Sequence, residues 1–458
     1  MSTDVVDLAV IGSGGAAMAA AIAARGADQS VVLVDRATLG GTCVNIGCVP
    51  SKYLLHAARH RAAALSGGQA GIHTSAAPVD LDRVVTGKDE LVEQLRQAKY
   101  ADVAAAYGFE VRCGTATFTG PGTLEVDRTP LPARAYLVAT GARPAVPDLP
   151  GIDTVEHLTS TTAMELTGLP QSVVVVGGGY VGMEQAQIFA DLGSQVSLVG
   201  RLAPSAEPEL REVMRAAFTR RGIQVFEEHA VAVERRTGGV LVTTTSGQQV
   251  HGGRLLVATG RTPVTDDLGL PAAGVSTDEG GFVTVDEHQR TTNPHLYAAG
   301  DVTGGRQFVY VAAAQGRVAA RNATTDAGER VDYTGVPAVI FTRPQLASVG
   351  LTEQQALAAG YACDCRVLAA ADIPRAVVNG DTLGAVKLVA DAATGRLLGV
   401  HAALDGAGEL MLAATFALKA AMTVDDVADT WAPYLTMAES LRLAAGLFRG
   451  HLPTSCCA

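Results

Sequence analysis

Residues 5–35 read VVDLAVIGSGGAAMAAAIAARGADQSVVLVD. An apolar, β-branched run at 5–11 breaks at Gly12-Ser13-Gly14-Gly15-Ala16-Ala17. An alanine-rich helix to about Ala24 follows, and a second apolar run at 31–35 closes on Asp35. Strand, glycine turn, helix and strand within this length form one βαβ unit of the kind that binds dinucleotides. The first glycine permits the tight turn and the second admits a pyrophosphate, while the helix N-terminus offers unpaired N–H groups to its charge. Ala17 stands at the third glycine position and is small enough for close packing. Asp35 can accept a hydroxyl of an unphosphorylated ribose, such as that of FAD.

The same grammar returns later. Residues 173–176, VVVV, lead into Gly177-Gly178-Gly179-Tyr180-Val181-Gly182, a helix to about Leu192 and a strand at 195–200. This strand ends Val199-Gly200-Arg201, without an acid. A carboxylate there would repel a 2′-phosphate, whereas glycine and arginine leave room and supply charge. NADPH is therefore the expected second cofactor; the other reading makes Arg201 a solvated residue at a site that takes either nucleotide. Two matching strings, LVATGARP at 137–144 and LVATGRTP at 256–263, resemble exits from the two units and mark Thr140, Gly141 and Gly260. A further strand, LYAAGD at 296–301, would return the chain to the first unit at Gly300-Asp301.

From about Tyr333 the texture changes to strand-like segments at 338–342, 385–390 and 397–403, with amphipathic helices near 406–421 and 436–448. The expected fold is α/β, with two Rossmann-like dinucleotide-binding domains and a C-terminal α+β domain. The expected boundaries are 1–145 with 265–332 for FAD, 146–264 for NADPH and 333–458 for the third domain. A length of 458 residues agrees with about three cores.

With 48% hydrophobic and 18% charged residues the chain has material for packed cores and little sign of disorder. A net charge of -11 argues against nucleic-acid binding, which needs a basic surface. The first residues, MSTDVVDLAVIGSGG, are acidic where a signal peptide is basic. No apolar stretch reaches the ~18 residues of a membrane span. A cytoplasmic protein is expected, in which seven cysteines do not form a structural disulfide framework. Of these, Cys363 and Cys365 read as neighbours on a surface strand and Cys113 as a buried thiol. His56 and His60, four apart on a helix, read as solvated or packed residues.

The most specific segment is 41–52, GTCVNIGCVPSK. Regular helix would separate Cys43 and Cys48 by about 7.5 Å of rise and turn their side chains apart, beyond the reach of a disulfide. The segment is therefore not helical throughout. Pro50 is best tolerated in a first turn, so a helix starting near Cys48 would place its sulfur at a positive helix end and favour the thiolate. With Gly41 and Gly47 ahead of the cysteine turns, the pair reads as redox-active and solvent-reaching.

GTCVNIGCVPSK, the two glycine loops and LYAAGD together resemble the glutathione reductase, lipoamide dehydrogenase and mercuric reductase family over essentially the whole chain. The resemblance implies that Cys48 lies against the flavin as charge-transfer thiol and that Cys43 is the interchange thiol. It further implies that Gly41, Thr42 and Asp301 contact FAD, that Lys52 and Glu184 pair beside flavin N5, and that Tyr180 covers the nicotinamide. Members that reduce organic disulfides carry His-Pro-Thr and a glutamate three residues later. This chain has Tyr434-Leu-Thr-Met-Ala-Glu439. The acid remains, but a tyrosine, with a reference pKa near ~10, is a poor base at neutral pH.

A phenol can instead be a metal ligand. The tail, GHLPTSCCA at 450–458, adds the soft thiols Cys456 and Cys457. Tyr434 and this tail resemble the mercuric reductase branch, which implies a homodimer whose sites are completed by the partner's tail and tyrosine. The implied substrate is Hg(II) as a thiol complex, held by Cys43, Cys48, Cys456, Cys457 and Tyr434 and reduced to elemental mercury. The tail is expected to carry the ion in, because a buried redox pair needs an accessible pair to begin exchange. Longer members have an N-terminal metal-binding domain that is not read here. The alternative is an NADPH-dependent disulfide reductase, thioredoxin reductase-like or lipoamide dehydrogenase-like.

Overall fold

The computed structural model describes residues 5–66 and 69–450; Cys456 and Cys457 lie outside them. β1 (Val6–Ile11), α1 (Gly15–Arg25) and β2 (Val31–Asp35) form the opening unit. Then come α2 (Gly41–Asn45), α3 (Cys48–Leu65), α4 (Leu81–Arg96), a π turn (Gln97–Ala101) and α5 (Asp102–Tyr107). β3 (Glu110–Cys113) precedes a meander of β4 (Ala116–Gly120), β5 (Thr123–Val126) and β6 (Thr129–Pro130), followed by β7 (Ala133–Val138) and β8 (Ala142–Pro144).

The second unit opens with β9 (His157–Leu158), α6 (Ser160–Ala163), β10 (Ser172–Val176), α7 (Tyr180–Leu192), β11 (Gln195–Val199), α8 (Pro208–Arg220) and β12 (Gln224–Phe226). Its own meander is β13 (Ala230–Arg236), β14 (Gly239–Thr244) and β15 (Gln249–Gly252), before β16 (Arg254–Val257) and β17 (Arg261–Pro263).

The two principal sheets have one plan. The first runs β3-β2-β1-β7 and is completed by β18 (Leu296–Ala298); the second runs β12-β11-β10-β16-β9. All their pairings are parallel. Strands buried on both faces read as continuous apolar runs, and β10 is buried from Val173 to Val176. The matched exits are paired: β8 and β17 form an antiparallel ribbon. Val264 N–H donates to Gly141 O at 2.9 Å and Ala145 N–H to Gly260 O at 3.0 Å.

α9 (Val309–Thr325) returns across the first unit and packs on α1. The approach is close because small residues meet there: a Cβ on Gly316 would lie 2.0 Å from Ala16 O. The rest of the chain builds β19 (Ala338–Ile340), β20 (Gln345–Gly350), α10 (Glu353–Ala358), β21 (Cys363–Ala369), α11 (Pro374–Asn379), β22 (Ala385–Asp391) and β23 (Leu397–Leu404). α12 (Ala407–Lys419), α13 (Val424–Ala428) and α14 (Glu439–Gly446) follow. This sheet is antiparallel, ordered β19-β20-β23-β22-β21. α12 covers β20 and β23, and α14 packs on β21 and β22.

Two cysteine readings change. Cys113, expected to be buried, is exposed, because β3 is an edge strand and its last residue faces outward. Cys363 and Cys365 do lie on an edge strand, but both are half-buried and pack against the cluster of Ala356, Val389 and Leu398. His56 and His60 are exposed, with ring centroids 4.3 Å apart. No helix among the described residues is long and apolar enough to cross a membrane.

Candidate active site

The cysteine segment breaks where the helix geometry requires. α2 carries Cys43, and Ile46 and Gly47 leave helical geometry at φ -140° and -130°. α3 then starts at Cys48 itself, with Pro50 in its first turn and no side-chain cap at Gly47. The Cys48 sulfur thus sits at a helix end whose N–H groups favour negative charge. A hydrogen bond from the Cys43 thiol and the nearby Lys52 ammonium oppose the cost of burial and lower the Cys48 pKa to about 7. The same hydrogen bond, with burial, raises that of Cys43. The two thiols are therefore unequal at neutral pH: Cys48 is the thiolate and Cys43 the proton holder. Cys43 is half-buried and Cys48 exposed. That fits a solvent-reaching pair and corrects the burial assumed in the carrier argument.

Lys52 lies one turn beyond Cys48 and reaches from α3 to α7 of the second unit. Its Nζ donates to Glu184 Oε2 at 2.9 Å and Oε1 at 3.2 Å. Glu184 is buried and also accepts the Phe341 N–H at 3.0 Å, while the Phe341 ring lies 4.5 Å from Lys52 Nζ. Both nucleotide units and the C-terminal domain thus meet at one ion pair. Tyr180 opens α7 and is partly exposed, in an edge-to-face row with Phe308 (5.9 Å), which stacks on Tyr310 (5.3 Å).

The glycine loops fit the backbones of the two expected cofactors. Gly12 has φ +115°, and a Cβ there would lie 2.3 Å from Ala139 O; Gly177, at φ +118°, stands 2.2 Å from Ala258 O by the same construction. Gly14 and Gly179 cap α1 and α7 without a side-chain bond, leaving N–H groups for a ligand. A Cβ on Gly41 would lie 2.7 Å from the Gly14 Cα, so the cysteine segment closes directly over the first loop. Thr42, the next residue, is half-buried. Ala17 is fully buried.

At the strand ends the two loops diverge. Asp35 accepts Ser13 Oγ–H at 2.5 Å and the Ala37 N–H at 2.8 Å. Gly200, at φ +146°, sits against Gly178, where a Cβ would lie 2.8 Å from the amide nitrogen. Arg201 beyond it is exposed and makes no ion pair among the described residues. Asp301 follows Gly300 at the end of β18, 3.3 Å from Arg261 Nη2, and burial raises its pKa against that pull. Thr140 donates to Val264 O at 2.6 Å, tying the two exits together.

Tyr434 lies in the turn before α14 and is exposed. Glu439 opens α14 and is buried, with Arg442 3.4 Å from Oε1, while Oε2 has no hydrogen-bond partner among the described residues. The acid of the expected His–Glu pair is thus present and desolvated without a histidine at 434.

Sequence reasoning missed Tyr100. Its pKa is raised to about 12, first by burial and then by the charges of Cys43 and Cys48. The phenol therefore stays protonated beside both sulfurs. It comes from the π turn after α4, an irregularity with no periodic signature in the sequence. Phe341 was missed as well, since the segment after β19 is remote in sequence.

Residues 6–316 match the model of the pyridine nucleotide-disulphide oxidoreductase family, and 336–445 match its dimerisation domain. The mercuric reductase of Streptomyces lividans is 50% identical over 99% of this chain and 98% of its own length. That of Bacillus cereus is 43% identical over 99% of this chain and 73% of its own. Among solved structures, the HOCl-induced flavoprotein disulfide reductase RclA from Escherichia coli superimposes with a TM-score of 0.86 at 30% identity, covering 96% of this chain and 99% of that one. Matched over both its nucleotide units and its C-terminal domain, the chain belongs to the pyridine nucleotide-disulphide oxidoreductase family.

Proposed function

We propose that the protein is a mercuric ion reductase that uses FAD and NADPH. The observation that carries this reading is Tyr434, which stands ahead of the buried Glu439 where a disulfide reductase needs a histidine base, in a chain that keeps the thiol pair, with the Cys48 pKa lowered and that of Cys43 raised. Likeness over nearly the full length to mercuric reductases favours it over a disulfide reductase. FAD and NADPH, when bound, supply the electron pair that reduces Hg(II) to elemental mercury. Gly12, Gly14, Ala17, Asp35, Gly41, Thr42, Thr140, Gly141 and Asp301 would hold FAD. Gly177, Gly179, Gly182, Arg201 and Gly260 would hold NADPH, with Tyr180 over the nicotinamide. This assignment follows the proposed domains, 1–145 with 265–332 and 146–264.

Cys43, the interchange thiol by the family resemblance, passes its proton along their hydrogen bond to the Cys48 thiolate and attacks first. One carrier thiolate leaves as the Cys43–Hg bond forms. Cys48 then binds the ion, and its proton departs with the second carrier thiol. Lys52 holds the charge balance near Cys48 and is itself held by Glu184. Tyr100, kept protonated near the two sulfurs, would offer them its hydroxyl. Tyr434 would act as a further oxygen ligand, and Cys456 and Cys457 as carriers, from the partner subunit. The exposed apolar residues of the third domain, Leu412, Phe416 and Trp431, support a dimer face there. Five free cysteines among the described residues suit a reducing, cytoplasmic setting.

Mercury-dependent NADPH oxidation, assayed beside glutathione disulfide, lipoamide and thioredoxin, tests the reading. Mercury alone should sustain turnover, and Tyr434→Phe should slow it by about tenfold, a loss of about 1.4 kcal/mol, with flavin reduction unchanged. Turnover with a disulfide but not with mercury would overturn it.

A further inference from the structure

α2 holds only five residues and starts at Gly40 without a side-chain cap, so its own hydrogen bonds cannot keep it formed. Its last side chain does this instead. Asn45 Nδ2 donates to Gly41 O at 2.9 Å and Leu39 O at 3.0 Å and lies 3.4 Å from Thr38 O, drawing the approach to Cys43 into one turn. Its carbonyl Oδ1 accepts from Arg96 Nη1 at 2.9 Å. Arg96 is the last residue of α4, is steadied by Glu93, and stands immediately before the π turn that carries Tyr100.

The two branches also touch near Gly40, where a Cβ would lie 3.4 Å from both the Asn45 amide nitrogen and Tyr100 Cδ2. Behind the clamp lies an open groove of about 820 Å³ lined by Thr38, Asn45, Ile46, Glu93 and Arg96. On that side the Asn45 hydrogen bonds hold α2, while buried Val44 anchors its other face.

We infer that Arg96 and Asn45 form one positioning unit that sets Cys43 and Tyr100 relative to each other for metal exchange. Neither residue meets the metal. A π turn advances the following side chains by on the order of 100° relative to regular helix, and the arginine fork fixes where that advance begins. Loss of either partner would let the Cys43 turn and the Tyr100 turn drift separately. The inference rests on the mercury reading for its role, but the geometry can be read without mercury.

The test uses the full-length holoenzyme and three variants, Arg96→Met, Asn45→Asp and their combination. Asn45→Asp keeps an acceptor for Arg96 but loses the donors to the three carbonyls. The first readout is the pH profile of iodoacetamide alkylation at Cys43 in the dithiothreitol-reduced protein, followed by peptide mass spectrometry. The second is turnover with a mercuric dithiolate. Each single variant should change the alkylation rate at least threefold and lower turnover about tenfold, with the Michaelis constant for NADPH unchanged. The double variant should be no worse than the worse single one, because both break one unit.

Should Arg96→Met fail to retain FAD, Arg96→Lys keeps a single donor and should shift both readouts in the same direction by about threefold. Alkylation and turnover within twofold of the unaltered enzyme, or losses that multiply in the double variant, would overturn the inference. If the unaltered enzyme ignores mercury, the functional reading fails, and the alkylation profile still decides the clamp.

Discussion

The two nucleotide units share a strand order and an exit ribbon but differ at the few places where a ligand would touch them. In the first, Ser13 fills the middle of the loop and bonds to Asp35 at the next strand end. In the second, Gly178 and Gly200 meet backbone to backbone and leave Arg201 exposed beyond them. The third small residue differs too. Ala17 is tolerated in the first loop, whereas a Cβ on Gly182 would stand 1.9 Å from Gly177 O. The fifth strand arrives from after the second unit in one sheet and from before its glycine loop in the other. One backbone plan thus serves two ligands, and side chains at matching positions choose between them.

The largest test of that comparison exchanges the third small residue. Gly182→Ala forces a methyl group into the Gly177 carbonyl, an overlap costing about 3 kcal/mol. NADPH-dependent flavin reduction should fall about 100-fold at subsaturating NADPH while bound FAD, read from the visible spectrum, stays stoichiometric. The mirror change Ala17→Gly adds only helix entropy, about 1 kcal/mol, and should leave NADPH kinetics unaltered. If both changes act alike, the loops are equivalent and the distinction drawn from their packing is wrong.

Next comes the charge at the strand ends. Charge-assisted hydrogen bonds are worth about 1.5–3 kcal/mol, so Arg201→Ala should raise the Michaelis constant for NADPH between about 10- and 100-fold and move that for NADH little. Equal efficiency with the two nucleotides in the unaltered enzyme would sink the assignment.

The smallest expected effect concerns Lys52, which joins the two units. Its ammonium helps hold the Cys48 pKa near about 7, so the thiolate is present above that pH and protonated below it. In Lys52→Met the midpoint of Cys48 alkylation should move to higher pH, since the lost charge favoured the anion. The larger contribution, the Cys43 hydrogen bond, would remain. An unmoved midpoint would show that Lys52 serves Glu184 alone.

Local chain grammar made much of this legible. Glycines that must adopt positive φ, apolar runs of strand length and Pro50 in a first turn are short-range constraints. They marked both nucleotide loops, the broken helix around Cys43 and Cys48, and the matched exits at Thr140-Gly141 and Gly260. Lys52 and Glu184 came from resemblance, since 132 residues separate them and no local rule pairs them. The burial of thiols was misjudged because it depends on neighbours that composition does not name: Cys113 ends an edge strand, while Cys363 and Cys365 lie over a small apolar cluster. Tyr100, Phe341 and the Arg96–Asn45 clamp came from packing alone. A π turn has no sequence period, and contacts across separate elements exist only once burial has brought them together; the inequality of the two thiols arises there, from a hydrogen bond, a helix end and a cation supplied by different parts of the chain.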